Sequence, residues 1–184
     1  MSYTKFTKVE AEEFKGNVTG NLIGTATSVE EDTPVNAEAS TLSTDLAGDN
    51  NDLVFTAKVK GESGDDISIT YVDPEEETAE EAVVVTGTDI VVTLRSVSAT
   101  LSTATQVKAA IDGATAAAAL VTVANKPANN GSGEVIAMAK TQLDNGVDGT
   151  VGVKGQIVID ADYIYVCTDT NTVADTNWKK VAIS

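Results

Sequence analysis

The sequence predicts an α+β fold, mostly β: an extended N-terminal arm, an antiparallel sheet with one packed helix, and a small C-terminal three-stranded β module. Three observations lead there. Short segments with period-two alternation of apolar residues recur between 52 and 94. One stretch, after Thr103, has helical spacing and a helix-start signature. Residues 149–184 hold three short apolar runs separated by turns. The expected divisions are 1–44 for the arm, 45–148 for the α+β body and 149–184 for the terminal module.

The arm is poor in large apolar residues; Phe6, Phe14, Val18 and Leu22 are among the few. It contains Gly16-Asn17-Val18-Thr19-Gly20-Asn21-Leu22-Ile23-Gly24, a period of four. Glycine every fourth residue disfavours a helix and weakens an ordinary strand. The tract fits either a flexible Gly/Asn/Thr linker or a backbone packed closely on a neighbouring chain, with Val18 and Leu22 as recurring contacts.

In the body, Leu53, Phe55, Ala57 and Val59 alternate with more polar positions, which predicts a half-buried strand over 52–60. Gly61 to Asp66 reads as a turn, and Ile67, Ile69 and Tyr71 mark a second strand. Glu75 to Glu81 reads as a solvated acidic loop. Val83 to Val85, Gly87-Thr88, then Ile90, Val92 and Leu94 form a hairpin signature. These strands are expected to be antiparallel neighbours.

Thr103 with Gln106 three residues on makes a capping-box pattern, and Ala104, Val107, Ala110 and Ile111 form one apolar stripe closed by Gly113. Ala116 to Ala119 offers a further helical turn, and Leu120 to Val123 returns as a strand. Val135 to Met138 fits helix or strand equally.

In the terminal module, strands are expected at 155–159, 163–168 and 178–183. Three strands alone cannot bury a sufficient core. Tyr163-Ile164-Tyr165-Val166-Cys167 is apolar on both faces, so one face covers its own hairpin or the body. The other faces either a subunit contact, beside Trp178, or the body itself.

Composition narrows the function. Twelve basic residues stand against 28 acidic ones, a net charge of −16, with Arg95 the only arginine. Neutralising nucleic-acid phosphates or docking on an anionic membrane is excluded on charge. With no histidine, Ser-His-Asp and Cys-His catalysis and His-ligated metal are excluded. Cys167 is the only cysteine and sits in an apolar strand, where a thiol is inert packing. The carboxylates cluster in turns at 49–52, 65–66, 75–81 and 144–148, without EF-hand spacing. The glycine tract lacks the lysine and the strand–helix setting of a phosphate loop. Residues 1–13 carry no apolar signal core, and no apolar run reaches the roughly 20 residues that span a bilayer. No enzyme, cofactor or metal is expected.

The tract from Phe14 to Ala26 resembles the G-N-V-T-G-N-L-x-G tracts of tailed-phage virion proteins, notably head-fibre, decoration and tail-fibre proteins. Gly152 with Gly155-Gln156-Ile157, Asp162 to Cys167 and Trp178 to Ala182 are similar to a small β module that closes many of these proteins. The body, from Leu53 to Ala57 through Ile67 to Tyr71 and the 103–112 helix to Gly146-Val147-Asp148-Gly149, looks like a domain recurring in phage structural proteins. With two clean units, the repeat is too short for a long shaft.

The resemblance implies a non-enzymatic bacteriophage virion structural protein, a capsid decoration or head-fibre protein made in the host cytoplasm and carried on the capsid surface. Its implied partners are a homo-oligomer, a trimer, and the major capsid protein. The expected oligomer or capsid contacts are Phe6, Phe14, Val18, Leu22, Tyr163, Tyr165 and Trp178. The alternative is a tail-associated or surface adhesion module, in which the Tyr/Trp face of the last segment stacks on a host glycan.

Overall fold

The computed structural model describes residues 33–74, 80–97 and 100–183. The fold is α+β and mostly β, and it ends in a small three-stranded sheet. In chain order the elements are β1 (Thr41–Ser43), β2 (Leu53–Ala57), β3 (Ser68–Val72), β4 (Ala82–Thr86), β5 (Asp89–Thr93), β6 (Ser96–Val97) and β7 (Thr100–Leu101). Next come α1 (Ala104–Gly113), α2 (Thr115–Leu120), β8 (Val121–Asn125), β9 (Met138–Gln142), β10 (Ile157–Ile159), β11 (Tyr163–Cys167) and β12 (Trp178–Ala182).

The body holds two larger sheets around one core, together with a two-stranded antiparallel pair, β6-β7. β2 is the centre of an antiparallel sheet, β1-β2-β8, and turns Leu53, Phe55 and Ala57 inward. The second sheet has the order β4-β5-β3-β9. Leu53, Phe55, Ile69, Tyr71, Ile90 and Val92 from the two sheets pack in a single cluster with Val107 and Ile111 of α1. Alternation in each strand thus supplies one wall of a shared interior.

Two expectations give way here. The strands at 53–57 and 68–72 do not pair; they lie in different sheets, because the short 3₁₀ turn Glu62–Asp66 carries the chain across the core. Nor is the second sheet wholly antiparallel, since β3 and β5 run parallel, with Ser68 opposite Asp89 and Val72 opposite Thr93. The β4–β5 hairpin is as expected, closed by Gly87-Thr88 with Gly87 at φ 63°. That conformation costs a residue without Cβ little. The hairpin lays β5, not β4, against β3. Of the expected acidic loop, residues 75–79 lie outside the described residues.

The capping box forms as read. The Gln106 amide N–H donates to Thr103 Oγ1, and the Thr103 N–H donates to Gln106 Oε1 at 2.9 Å. Ala104, Val107 and Ile111 are buried along one stripe. A second short helix, α2, joins the expected one, built on the alanine run and burying Ala117. The ambiguous segment before 140 resolves as an anchor and a strand: Val135 is buried, and β9 starts at Met138 against β3.

Of the expected 1–44 division, residues 1–32 lie outside the described residues, and the part from 33 to 44 packs on the body. Ala37, Ser40 and Thr44 are buried, and β1 is part of the first body sheet. The Glu38 N–H donates to the Val147 carbonyl at 2.9 Å, and the Ala37 N–H donates to the Asp175 carbonyl at 3.0 Å. Residues 33–44 are therefore a strap that touches both the body and the terminal module. Among the described residues no helix is long and apolar enough to cross a membrane.

Candidate functional site: the C-terminal sheet

β10, β11 and β12 form an antiparallel sheet in that order, with its own small core of Val158, Tyr165, Cys167 and Trp178 and with Tyr163 packed against it. Register decides which side chains share a face. Val158 stands opposite Tyr165, and Cys167 opposite Trp178, which sets the inner face. Ile157 stands opposite Val166, Ile159 opposite Ile164, Ile164 opposite Val181, and Val166 opposite Lys179. These define the outer face.

The inner face is sealed. Trp178 is 3% exposed, and its indole N–H donates to the Thr150 carbonyl at 2.7 Å. Its ring lies over Gly152, where a Cβ would fall 2.5 Å from the Trp178 Cζ2, so only glycine leaves room. Asn171, fully buried, knits the loops beneath. Its Nδ2 donates to the Thr150 carbonyl at 2.7 Å, and its Oδ1 accepts the Asn177 N–H at 2.7 Å. The Cys167 thiol donates to the Asp169 carbonyl.

Asp160 organises the β10–β11 turn. Its carboxylate accepts the N–H groups of Asp162 at 2.8 Å and Tyr163 at 2.7 Å, the Tyr165 hydroxyl at 2.9 Å and the Thr33 hydroxyl at 3.4 Å. The Asp162 N–H contributes most to holding this carboxyl below its usual range, followed by the other donors, against desolvation. Desolvation first, and then the bond to Asp160, push the Tyr165 phenol up.

The outer face is bare. Ile157 is 58% exposed, Ile159 51% and Val181 63%, with Ile164 and Val166 half-buried among them. Lys179 is its only charged side chain among the paired positions. Of the thirteen large apolar side chains that are exposed among the described residues, seven fall in 149–184. That segment carries three lysines and four aspartates, a net of −1, which leaves −15 for residues 1–148.

The structure separates the expected contact residues. Tyr165 and Trp178 are buried within the single chain, and Tyr163 is half-buried with the Lys180 ammonium 4.7 Å above its ring. The surface they were expected to offer belongs instead to Ile157, Ile159, Ile164, Val166 and Val181. β11 does have one packed face and one open one, but the aromatic face is the packed one. The residue that makes room for the indole is Gly152, 26 positions before Trp178, and nothing in the local pattern of β11 or β12 points to it. Phe6, Phe14, Val18 and Leu22 lie outside the described residues. Burial leaves Trp178 3% and Tyr165 5% exposed, with Tyr163 half-buried beside them. A cleft of about 390 Å³, bounded by Thr33, Pro34, Val35 and Val147, also touches Tyr165 and Trp178.

Carboxylates elsewhere are engaged in fastening the fold. Asp52 accepts the Leu46 N–H at 2.8 Å and pairs with Lys126, which also reaches Asp45. Asp65 accepts the Gly146 N–H at 3.0 Å, and Asp148 accepts the Glu62 N–H at 2.8 Å. Asp89 takes both the Ser68 hydroxyl and the Lys140 ammonium at 2.6 Å. Among the described residues no group of three His, Cys, Asp or Glu side chains converges as a metal site.

Comparison of the chain with protein families, with curated proteins and with solved structures gives no match.

Proposed function

We propose that the chain is a non-enzymatic structural protein of a tailed-phage virion, a capsid decoration or head-fibre protein that binds the assembled shell as a homotrimer and stabilises it. The observation that carries this reading is the uneven distribution of adhesion and charge. A bare apolar sheet face sits on a nearly neutral terminal module, while the rest of the chain carries −15. Like-charged subunits repel in free solution and remain soluble. Apolar area is then hidden where subunits are held close together, as on a lattice. The ordered resemblance of the Gly-Asn tract, body and terminal module to virion proteins supports the same reading.

The mechanism is burial of surface. A protein that binds the assembled lattice and not its free subunits stabilises the lattice by mass action, by about 2.7 kcal/mol per site at a hundredfold excess over Kd. The test is co-sedimentation of the pure chain with emptied phage shells and, separately, with unassembled shell protein. Binding to shells alone, with a rise in shell melting temperature, is expected. Equal binding to both, or binding to neither, overturns the proposal.

A further inference from the structure

We infer that Asn130 is a site of spontaneous covalent modification: the folded chain deamidates there through a succinimide, while it protects its other Asn-Gly pair, Asn145-Gly146. The sequence contains these two Asn-Gly pairs, and both asparagines are exposed. Glycine at the second position leaves the backbone nitrogen unshielded by a side chain. In the reaction the Gly131 nitrogen gives its proton to water and bonds to Asn130 Cγ, and the side-chain nitrogen leaves as ammonia. Water then opens the five-membered imide at either carbonyl. The products are aspartate, or isoaspartate with the main chain routed through the side chain. One amide and one water become one carboxylate and one ammonium, with no change of oxidation state.

Electrostatics separates the two pairs. As the Gly131 nitrogen attacks, negative charge develops on Asn130 Oδ1. That oxygen accepts the Ser132 N–H at 3.0 Å, a donor aimed where the charge appears. Among the described residues nothing accepts the Gly131 N–H, so the nucleophile is not tied elsewhere. The pair is held on both sides: the Asn130 N–H donates to Asn50 Oδ1 at 3.2 Å, and the Gly131 carbonyl accepts the Thr105 N–H at 2.9 Å. At the other pair the charge opposes the reaction. The Gly146 N–H donates to Asp65 Oδ1 at 3.0 Å. Loss of that proton would set an amide anion beside a carboxylate, and like charges disfavour it. Isoaspartate at position 130 lengthens the main chain by one carbon between its anchors at Asn50 and Thr105. It also adds a carboxylate to a chain of charge −16.

The experiment is peptide mapping by mass spectrometry of the full chain, aged at mildly alkaline pH either folded or unfolded in urea. Deamidation shifts the mass of the peptide that carries it, and Lys140 places the two pairs in different tryptic peptides. Enzymatic methylation of isoaspartate confirms the imide route. In urea the two pairs should convert at comparable rates, because the Asn-Gly unit is the same. In the folded chain Asn130 should convert at least ~10-fold faster than Asn145. Asp65→Asn keeps an acceptor for the Gly146 N–H and removes the charge. With its fold checked by circular dichroism, this variant should convert Asn145 ~10-fold faster and Asn130 at the natural rate. A folded natural chain in which Asn145 converts as fast as Asn130 overturns the inference. So does one in which Asn130 stays intact over the time that the unfolded chain takes to convert. A folded Asp65→Asn chain with Asn145 as slow as before overturns the protection assigned to Asp65. Should that variant fail to fold, the comparison of the two pairs in the natural chain decides alone.

Discussion

The side-chain amide of Asn36 meets both backbone groups of Trp178, 142 residues away: Asn36 Nδ2 donates to the Trp178 carbonyl at 3.1 Å, and the Trp178 N–H donates to Asn36 Oδ1 at 3.1 Å. β12 is an edge strand, and its first residue would otherwise present an unpaired N–H and C=O. Asn36 stands in for a neighbouring strand there. The pair also ties the strap to the terminal module at the residue whose indole fills the module's core.

Asn36→Ala removes both bonds and leaves the backbone groups of Trp178 to water. We expect a loss of about 1–2 kcal/mol of stability. Amide hydrogen exchange at Trp178 is the direct readout: protection should fall there, and the amides of β3 and β5 in the body core should keep theirs.

Gly152→Ala places a methyl group in the volume of the Trp178 ring and beside the Cys167 sulfur. Overpacking of this kind costs about 1–3 kcal/mol. Because the chain has one tryptophan, its fluorescence reports the site without ambiguity. The natural protein should emit at short wavelength, and the variant should shift toward the red. An unchanged spectrum and melt would contradict the placement of the indole against Gly152.

Tyr71 is 2% exposed, and its hydroxyl meets no hydrogen-bond partner among the described residues. Burial, with the nearby Asp52 charge, pushes its ionisation far above that of a free phenol. Tyr71→Phe deletes an unsatisfied polar atom and keeps the ring. The variant should be as stable as the natural protein or up to about 1 kcal/mol more stable. In an alkaline absorbance titration, the variant should lose a phenol that in the natural chain ionises only on unfolding.

Asp160 sets the acid side of stability for the terminal module. Its folded-state ionisation is lowered, so its contribution is fully present above the unfolded value of 3.8 and fades as pH falls through the lower folded value. Asp160→Asn should flatten acid unfolding of the module as pH falls below 3.8, as followed by Trp178 fluorescence. An identical acid limb in both proteins would count against the Asp160 turn as described.

Much of the architecture was legible in the sequence because local signals and tertiary structure agree. Thr103 and Gln106 fix the start of α1 through bonds between near neighbours. Gly87 fixes the β4–β5 hairpin in the same way. The three strands of the terminal module follow from short apolar runs between turns. What sequence could not yield were relationships across long separations. The parallel pairing of β3 with β5 depends on how a hairpin is laid against an earlier strand, and alternation is the same for either neighbour. The site was half legible. Period two showed that Tyr163 to Cys167 has two apolar faces. It could not show which face is covered, because that depends on Gly152 and the strap at Asn36 meeting Trp178, and on Asn171 sharing the Thr150 carbonyl with the indole. Large aromatic side chains drew attention as contacts, yet their size is what makes them the core of a module this small.

The central claim is that the β-branched face of the terminal sheet is covered by neighbours in the working assembly. The most direct measurement is an electron cryo-microscopy map of the intact particle, resolved well enough to place β10, β11 and β12. The account predicts clustered copies with Ile157, Ile159 and Val181 buried against other subunits and Trp178 enclosed within each copy. A map in which that face of every copy lies open to solvent, or in which the protein has no place on the particle, would contradict it.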